Sequence, residues 1–486
     1  MQRITPFTEW PLHGVAKTRA IETHALRTHP TPSLMQLAGQ SVAQLAMAWA
    51  PHAQRIWVAC GPGNNGGDGL HAALHLQALG KDVWLTLCPG EHPSADVLDA
   101  LGQVKKADIP IHDRAPAHWD LGIDALLGLG HDRPPLGRLQ QHMHLLRLAH
   151  TPLLCVDVPT GLMSDSGHWM DAALSPQRTA PLATLSLLTL KPGLFTLQGK
   201  DACGEVWFDD LGHPAGPAYR PDASLISPRP LSPKSHNSHK GNHGHVLVLG
   251  GAPGMTGAAV LAALAALHAG VGKVVLGLLN PSALAGVQTQ YPSLMAMAPD
   301  TSTSFEHTVV CGCGGGQVVR QHLPVVLSRS AKLVLDADAL NAIAQDSGLQ
   351  TLLVRRASAG LPTVLTPHPL EAARLLGCSV AQVQSDRCAA AQSLAQRWSC
   401  VVVLKGAGTV VAAPNETPAI NPTGNARLAC AGTGDVLAGM VGAALARDLE
   451  AWPAAQLAVF QHGWAADRWP EAETLTAEAL AKAVHL

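Results

Sequence analysis

The sequence predicts two consecutive α/β domains, each built on a mainly parallel β-sheet. The chain has 486 residues, which is more than a single hydrophobic core usually fills. Hydrophobic residues make up 47% and charged residues 14% of the chain, a composition typical of compact globular proteins and not of disordered ones. Short apolar runs alternate with helical patterns along both halves, and this order favours parallel sheets with crossover helices.

The two halves are separated by a proline-rich stretch. In the first half the runs RIWVAC, DVWLTLC, LGIDALLG and PLLCVDVP read as buried strands. A second series begins with HVLVLGG and continues through KVVLGLL, HTVVCGCGGG, KLVLDADALN, PTVLTPHP and CVVVLKG. Proline recurs too often between His213 and Pro233 for a helix or a central strand. We therefore predict a domain over residues 1–214, a linker over 215–235 and a second domain over 236–486.

Charge and hydropathy exclude several classes of partner. Lys and Arg number 33 against 35 Asp and Glu, a net charge of -2, so no overall field attracts nucleic acid or an anionic membrane. The N-terminus lacks the apolar core of a signal peptide, and polar residues and glycines interrupt the longest apolar segment, 258–279. The ten cysteines show no repeated CxxC pair, so reduced, buried thiols are expected. These features predict a cytoplasmic protein without membrane or nucleic-acid partners.

The first candidate site is the loop GPGNNGGDG, Gly61 to Gly69, between the strand RIWVAC and a helix expected to begin near Leu70. A strand, a glycine-rich loop and a helix N-terminus together present backbone N–H groups to an anion. The loop matches GxGxxG, but the second strand ends without the acidic residue of a dinucleotide site, and GK[ST] is missing from the loop. Its Asn and Asp side chains add oxygen atoms suited to a cation or a polar ring.

Two further strand ends carry carboxylates, Asp124 in DALLGLG and Asp157 in VDVPTG. If these strands are neighbours, Asn65, Asp124 and Thr160 converge as oxygen ligands for a hard cation, and Asp157 is left for proton transfer. A single aspartate at a strand end is more often a helix cap or a turn former. Three such loops in one half of the chain favour the functional interpretation.

The most informative stretch of the second half is NPTGNARLACAGTGDVLAGM, residues 421–440. Gly432 and Gly434 let backbone amides approach a phosphate, and the helix that follows directs its positive end there. The charge of Asp435 would repel phosphate, so this carboxylate is interpreted as a base or a cation partner. The alternative is a glycine-rich connection in which Asp435 is only a helix N-cap.

The surrounding segments add polar groups at other strand ends. Lys405 follows the strand VVVL and precedes a loop of small residues, His368 stands between two prolines before a helix, and LVLDADALN places two carboxylates at a strand end. A separate set of histidines, His236, His239, His243 and His245, could be read as a zinc site. No acidic or cysteine ligand accompanies it, which makes zinc the weaker interpretation.

The N-terminal motifs resemble the epimerase domain of the bifunctional NAD(P)H-hydrate repair enzymes over about residues 10–215. The resemblance implies a Rossmann-like, three-layer parallel-sheet domain, with Thr160 at a position commonly occupied by Ser and GLGHDRP in place of a loop closer to GTGLSRP. It implies potassium on Asn65, Asp124 and Thr160. It also implies contacts to the hydrated dinucleotide from Asn64, Asn65, Gly66, Gly67, Asp68, Gly128, Leu129, Gly130, His131, Asp132, Arg133, Pro134 and Asp157.

The C-terminal motifs HKGNHGHVLVLGG, TPHP, LKG and GTGDVLAG resemble the ribokinase-like domain of the ADP- or ATP-dependent NAD(P)HX dehydratases, from about His236 to the C-terminus. In VVCGCGGGQ, Cys313 replaces the proline of a GPGLG-like loop. The resemblance implies contacts to the hydrated dinucleotide from Ala258 or Ala259, Gly314, His368 and Asp435. It implies contacts to the nucleotide from Lys405, Gly406, Ala407, Gly408, Thr409 and Gly434.

Together these resemblances imply repair of NADHX and NADPHX, the forms hydrated at carbon 6 of the nicotinamide ring. The first domain would interconvert the R and S epimers with Asp157 as acid and base and with potassium bound. The second would dehydrate the S epimer with ADP, accompanied by magnesium, with Asp435 as base and with AMP and phosphate released. We also expect a homo-oligomer. A small-molecule kinase of the ribokinase type and an N-terminal domain that only binds or scaffolds are the alternatives.

Overall fold

The computed structural model describes residues 1–28, 31–227, 231, 235–300 and 303–486. These residues form two structural units, one of Met1–Thr5 and Trp10–Asp222, the other of Pro6–Glu9 and Ala223–Leu486. The division after Asp222 falls inside the stretch for which a linker is predicted, and residues 228–230 and 232–234 of that stretch lie outside the described residues.

The first unit alternates strands and helices along most of its length. Its elements are β1 (Gln2–Arg3), β2 (Pro11–Leu12), α1 (Val15–Thr28), α2 (Leu34–Trp49), β3 (Arg55–Cys60), α3 (Asn64–Ala78), β4 (Asp82–Leu87), α4 (Ala95–Lys106), β5 (Ile111–His112), β6 (Leu121–Ala125), α5 (Arg138–Leu148), β7 (Leu153–Val156), β8 (Leu182–Leu187), α6 (Gly199–Cys203) and β9 (Glu205–Asp209).

Eight of these strands form one sheet in the order β1-β9-β8-β7-β6-β3-β4-β5. All neighbouring strands are parallel except β1, which runs antiparallel to β9. The chain reverses its direction of winding between β3 and β6, which pair with Ile56 opposite Leu121. Ligands of open parallel sheets bind at such a switch point, outside the carboxyl ends of the strands.

Both faces of this sheet are covered by helices. Ile56 and Val58 belong to the core that α2, α3 and α4 form on one face. Trp57, which points to the other face, is fully buried and packs its ring at 5.5 Å from that of His142 in α5. The alternation along β3 therefore produces a helix–sheet–helix sandwich, and the predicted fold class is confirmed.

The start of α3 differs from the sequence-based expectation. The helix begins at Asn64 and not near Leu70, so the Asn- and Gly-rich motif forms its first turns. Glycines are unfavourable in helices, but packing requires them here. A Cβ atom on Gly66 would lie 2.0 Å from the carbonyl oxygen of Gly61, and one on Gly69 would lie 2.6 Å from the Cβ of Ala125. Close packing of the helix on β3 and β6 overrides helix propensity.

The second unit contains the remaining elements. They are β10 (Ala223–Leu225), β11 (His245–Gly250), α7 (Thr256–His268), β12 (Lys273–Leu278), α8 (Leu284–Gln290), β13 (Met295–Met297), β14 (Thr308–Cys311), α9 (Leu323–Arg329), β15 (Lys332–Leu335), α10 (Ala337–Gln345), α11 (Ser347–Ser358), β16 (Thr363–Leu365), α12 (Pro369–Leu376), α13 (Val380–Ser385), α14 (Arg387–Trp398), β17 (Val401–Leu404), β18 (Val410–Ala412), β19 (Ala419–Ile420), α15 (Thr433–Ala446), α16 (Ala451–Asp467) and α17 (Ala477–Ala483).

The sheet of this unit runs in the order β13-β12-β11-β14-β15-β16-β17-β18-β19-β10. From β13 to β17 in this order, each strand is parallel to its neighbours, β11 and β12 included. Strand β18 is antiparallel to both of its neighbours. The switch point lies between β11 and β14. Helices α7 and α15 pack closely on each other, because a Cβ atom added at Gly439 of α15 would lie 2.1 Å from the carbonyl oxygen of Ala262 in α7.

The apolar segment 258–279 is divided between α7 and β12, as its interruptions predict. Among the described residues, no helix has the length and apolar character needed to cross a bilayer.

Candidate active sites

The first unit contains a cavity of about 420 Å³ at its switch point. Residues that follow β3, β6 and β7 line it, together with residues of α1 and of the segment after β8. Many of the residues predicted from the sequence are among them. The lining includes Asn64, Asn65, Asp68, Gly128, Leu129, Gly130, His131 and Asp157.

Asp157 is held in this cavity by a buried lysine. Lys191 is fully buried and donates a hydrogen bond from its Nζ to Asp157 Oδ1 and another, of 2.8 Å, to the Leu187 carbonyl. The Leu187 N–H donates to the same Asp157 oxygen at 3.1 Å. Asp157 is 9% exposed, and its backbone is in the left-handed region with φ of 65°. Non-glycine residues held in this way cost free energy and occur often at functional sites.

Two further carboxylates face the same cavity, those of Glu22 and Asp68. Burial is the main cause that raises the pKa of each, and the negative charge of Asp157 adds to the effect. Lys191 partly opposes both shifts. The cavity therefore combines one ion-paired carboxylate with two carboxyl groups that hold protons more tightly than usual, and this is suited to proton transfer.

Sequence reasoning did not identify Glu22 or Lys191. Glu22 is one of several polar residues on α1, and no local pattern distinguishes it. Lys191 follows β8 in the segment LTLKPG, and a lysine directly after a buried strand was an available signal.

The three predicted cation ligands lie in one buried cluster. Thr160 donates from its hydroxyl to Asp124 Oδ1 at 2.7 Å and from its N–H to Asp124 Oδ2 at 3.1 Å. The Leu127 N–H donates to the Thr160 hydroxyl, and the next residue, Gly128, packs against the Asn65 amide. Both polar atoms of that buried amide lack a hydrogen-bond partner. An oxygen-only donor set with an unsatisfied amide oxygen fits a hard monovalent cation such as potassium.

The loop after β6 is anchored by His131. Its Nε2 accepts a hydrogen bond from the Gly161 N–H at 3.3 Å, so Nδ1 carries the proton and donates to the Gly128 carbonyl at 2.7 Å. Burial lowers the pKa of His131 and keeps the ring neutral. The imidazole therefore links the loop to the turn after Asp157.

Some of the predicted contact residues lie away from the cavity. Gly66 and Gly67 are buried within α3, and Asp132, Arg133 and Pro134 are exposed, with the Arg133 side chain 91% accessible. None of these five residues lines the cavity. Their prediction as substrate contacts receives no support from the geometry.

In the second unit, Asp435 is the third residue of α15, and Gly432, with φ of 93°, is the N-cap. The alternative that Asp435 is merely a helix cap is therefore wrong. Burial raises the pKa of Asp435 to about 7, and the charge of Asp336 acts in the same direction. A carboxylate with such a pKa is suited to accept a proton near neutral pH.

Lys405 lies beside this carboxylate and pairs with a different one. Its Nζ donates to Asp336 Oδ1 at 2.6 Å, and the Thr366 hydroxyl donates to the same oxygen at 2.8 Å. Although burial acts to lower the pKa of Lys405, the charges of Asp336 and Glu371 outweigh it and raise the pKa. A Cβ on Gly434 would lie 3.4 Å from the ammonium nitrogen. Lys405 and the start of α15 thus present positive charge to one place.

The loop that follows Lys405 is supported by a buried arginine. Arg387 is 2% exposed and donates to the Leu404 and Lys405 carbonyls at 3.1 and 3.2 Å. Gly406 and Gly408 adopt φ of 138° and 62°, values that favour glycine. Arg387 precedes its partners by 17 and 18 residues, and no sequence motif pointed to it.

His368 begins the helix α12. Its Nδ1 accepts from the Leu370 and Glu371 N–H groups, and Glu371 accepts in return from the His368 N–H at 2.8 Å. Burial lowers the pKa of His368 and raises that of Glu371 to about 7. This capping box fixes the imidazole in a neutral form with Nε2 protonated.

The loop after β14 contains the other predicted contacts. Gly314 has φ of 57°, and an added Cβ would lie 2.9 Å from the Cβ of Ala258. Ala258 is partly exposed, whereas Ala259 is fully buried. Of the two alternatives predicted, Ala258 is therefore the one that a ligand can reach.

The four histidines do not form a cluster. His239 caps a short 3₁₀-helix, His243 bonds to Ser238, and His245 on β11 packs on His307. In the described part of the chain, the one group of three or more His, Cys, Asp or Glu side chains that converges is that of Cys313, Asp336 and Asp435.

These features define an enzyme of two α/β units, each with buried carboxylates and a lysine beyond the carboxyl ends of parallel strands. Family models agree with this division: one described as YjeF-related protein N-terminus matches residues 31–193, and one described as NAD(P)H-hydrate dehydratase matches residues 246–485.

Relatives match nearly the whole chain. The bifunctional NAD(P)H-hydrate repair enzyme of Escherichia coli is 36% identical over 455 residues, covering 89% of this chain and 84% of the relative. That of Coxiella burnetii is 34% identical, covering 90% of each. The chain therefore belongs to the family of bifunctional NAD(P)H-hydrate repair enzymes, and the resemblance found in the sequence is confirmed.

The second unit also matches single-domain relatives. The ADP-dependent (S)-NAD(P)H-hydrate dehydratase of Neisseria meningitidis is 40% identical over 264 residues, covering 53% of this chain and 88% of the relative. A solved structure of the ADP/ATP-dependent NAD(P)H-hydrate dehydratase of Bacillus subtilis is 31% identical and covers 52% of this chain and 91% of its own, with a TM-score of 0.45.

Proposed function

We propose that this chain repairs hydrated NADH and NADPH with two separate activities. The first unit interconverts the R and S epimers at carbon 6, and the second converts the S epimer to NAD(P)H with ADP, releasing AMP and phosphate. Family membership supports both activities. The observation that carries the second is the position of Asp435, a carboxylate with a pKa of about 7 in the first turn of α15 beside Lys405.

The dehydration needs a better leaving group than hydroxide. Asp435 accepts the proton of the carbon 6 hydroxyl while that oxygen attacks the terminal phosphorus of ADP, and AMP departs as the new O–P bond forms. The C–O bond then breaks with the electron pair leaving on phosphate. Loss of a proton from carbon 5 restores the ring double bond. A base with a pKa near 7 is ionised often enough, and is basic enough, for the first step.

Two parts of the second unit hold the nucleotide. The N-terminus of α15 offers unpaired N–H groups and a favourable dipole at Gly434. In the segment from Lys405 to Thr409, Lys405 provides an ammonium group, and the glycines adopt backbone conformations that other residues rarely reach. Asp336 fixes Lys405 by the 2.6 Å ion pair. Magnesium is proposed to arrive with the nucleotide, since it usually keeps waters and binds phosphates, and it would neutralise part of their charge.

The hydrated ring is proposed to lie against Ala258, Gly314 and His368. Gly314 and Ala258 leave room for a flat group, because neither carries a side chain beyond a methyl. The helix cap holds His368 in the tautomer protonated on Nε2, and this N–H, which lies 3.2 Å from Glu371 Oε1, would be shared between Glu371 and the ligand. Hydrogen-bonding by His368 to the carboxamide or to the hydroxyl would orient the ring toward Asp435.

In the first unit, Asp157 is the proposed acid and base, with Lys191 as its charge partner. Potassium held by Asn65, Asp124 and Thr160 would fix the loops after β3, β6 and β7 around the ring. Epimerisation requires that the bond to the carbon 6 hydroxyl break and re-form on the other face, with a proton given and then taken back. The cluster of Glu22, Asp68 and Asp157 supports such proton exchange, because burial raises the pKa of two of its members.

A single assay separates these reactions. Purified protein is mixed with enzymatically hydrated NADH and either ADP or ATP, while the nicotinamide absorbance and free phosphate are followed. We expect absorbance and phosphate to rise together with ADP, and the R epimer to be consumed as well as the S epimer. Stable phosphorylation of a small alcohol without free phosphate would instead support a kinase. We further propose that the enzyme is a cytoplasmic homo-oligomer.

A further inference from the structure

The loop after β14 brings a thiol to the two carboxylates of the second site. The ligand atoms of Cys313, Asp336 and Asp435 all lie within 4.8 Å of one another. Cys313 is fully buried, and its Sγ points at Asp336 Oδ2 from 3.9 Å. Neither ADP chemistry nor the binding of the hydrated ring requires a thiol at this place. Its position therefore calls for a separate explanation.

The two oxygens of Asp336 have different surroundings. Oδ1 accepts from Lys405 Nζ at 2.6 Å and from the Thr366 hydroxyl at 2.8 Å. Oδ2 faces Cys313. One carboxylate oxygen is thus committed to the ion pair, while the other shares a space with the thiol and with Asp435. Three atoms that can bind a metal ion, one sulfur and two oxygens, therefore converge there.

The charges of the group match a divalent cation. Burial raises the pKa of the Cys313 thiol, and the nearby carboxylates add to the effect, so a bound ion releases the thiol proton to solvent. The resulting thiolate and the two carboxylates carry three negative charges, and the ammonium of Lys405 balances one of them. The remaining two charges are those that a divalent ion neutralises. Ions such as magnesium prefer oxygen ligands alone, whereas a thiolate selects zinc, cadmium or cobalt. Three protein ligands with a fourth open position are a common zinc geometry.

We propose that Cys313, Asp336 Oδ2 and the Asp435 carboxylate form a binding site for a thiophilic divalent cation. A bound ion engages the oxygen atoms with which Asp435 would accept a proton, so it inhibits dehydration. The inhibition rests on the function proposed above, whereas the binding does not. Asp435 is mostly buried but keeps some exposure to solvent, and the ion enters from that side.

Cobalt(II) is the probe for binding, because a cobalt–thiolate bond gives a charge-transfer absorption that histidine and carboxylate ligands do not give. The full-length protein is expected to show this absorption on titration with cobalt, and Cys313→Ala to lose it. Asp336→Asn is expected to weaken cobalt binding by at least about tenfold, because even the loss of a residue that only orients a metal ligand costs about 10- to 100-fold in affinity. Cys430→Ala is the matched control: Cys430 is exposed and lies outside the cluster, so this variant should retain the absorption.

Absence of the charge-transfer band in the unaltered protein, or its persistence in Cys313→Ala, would overturn the proposal. Cys313→Ser is made in parallel, and circular dichroism establishes which of the two variants is folded. Zinc should lower ADP-dependent turnover in the unaltered protein, with an inhibitory concentration about tenfold higher in the folded Cys313 variant. A cobalt–thiolate band in a protein without any dehydratase activity would leave the metal site standing and contradict the proposed function.

Discussion

The two sites use the same pair of residue types in opposite ways. In the first unit the lysine pairs with the carboxylate proposed to act, because Lys191 donates directly to Asp157. In the second unit Lys405 pairs with Asp336, a neighbour of the carboxylate proposed to act. Burial raises the pKa of Asp435 to about 7, and the like charge of Asp336 adds to the shift.

This difference separates two chemical tasks. Activating a hydroxyl for attack on phosphorus needs one base, and raising its pKa strengthens that base. Exchanging a proton in both directions needs both a proton donor and a proton acceptor, and the cluster of Glu22, Asp68, Asp157 and Lys191 contains groups that can serve as each. The position of the lysine distinguishes the proton-exchange site from the site with a single base, since an ammonium group stabilises the negative charge of the carboxylate that it contacts.

The largest expected effect is that of Asp435→Asn on the second site alone. Removal of the base should lower the rate of ADP-dependent dehydration by about 10²- to 10⁴-fold, measured as phosphate release. Epimerisation should continue at its original rate. Asp448→Asn is the control, because Asp448 belongs to an ion pair in which its side chain is 93% exposed. Dehydration that persists in Asp435→Asn would remove Asp435 from the mechanism.

Lys191→Met tests the opposite arrangement in the first site. Loss of the buried ammonium leaves Asp157 without its partner, so we expect the first unit to lose about 3–5 kcal/mol of stability and epimerisation to fall sharply. Denaturant unfolding and epimer analysis measure the two effects. The double variant with Asp157→Asn should regain stability but not activity. Recovery of epimerisation in the double variant would show that the pair is only structural.

Asn65→Ala tests the cation site with a smaller effect. In the presence of potassium, epimerisation should fall by about tenfold and should no longer respond when potassium is replaced by tetramethylammonium. Dehydration of the S epimer should not change, because the second site contains none of these ligands. A parallel decrease of both activities would contradict the separation of the sites.

The smallest effect concerns pH. Asp435 acts only when deprotonated, so the rate of dehydration should rise with pH through about 7. The like charge of Asp336 helps to raise that pKa, and Asp336→Asn removes this charge. It also releases Lys405 to interact with Asp435, which acts in the same direction. The midpoint of the pH profile should move to lower pH, and a move to higher pH would show that Asp336 does not raise this pKa.

Much of both folds follows from local patterns. The runs around β3, β6 and β7 predicted parallel strands, and Asp124 and Thr160 were expected to converge on the condition that these strands are neighbours. The structure meets that condition, because β6 pairs with both β3 and β7. The start of α3 was placed too late, because helix propensity disfavours glycines that close packing requires. Ala258 could be separated from Ala259 only once their exposure was known.

The long-range partners of Lys191 and Arg387 could not be predicted in the same way. The Lys191 ammonium reaches the Asp157 carboxylate across 34 residues, and the Arg387 guanidinium reaches the backbone carbonyl of Lys405 across 18. Such pairs depend on how side chains from distant segments meet in three dimensions. The positions of the lysine and the arginine follow no periodic pattern in the sequence. The exposure of Asp132, Arg133 and Pro134 likewise depends on how the loop after β6 is anchored by His131.

The close packing of α3 sets a limit on what sequence variation this protein can tolerate. An added methyl group would lie 1.6 Å from the Leu126 carbonyl oxygen at Gly61, and 2.0 Å from that of Gly61 at Gly66. No side chain can avoid these contacts by rotating, since the clash begins at Cβ. In a library that randomises the motif, only glycine should therefore be recovered at Gly61 and Gly66. Asn64 is exposed, so its substitutions should leave the protein folded and change the affinity for substrate.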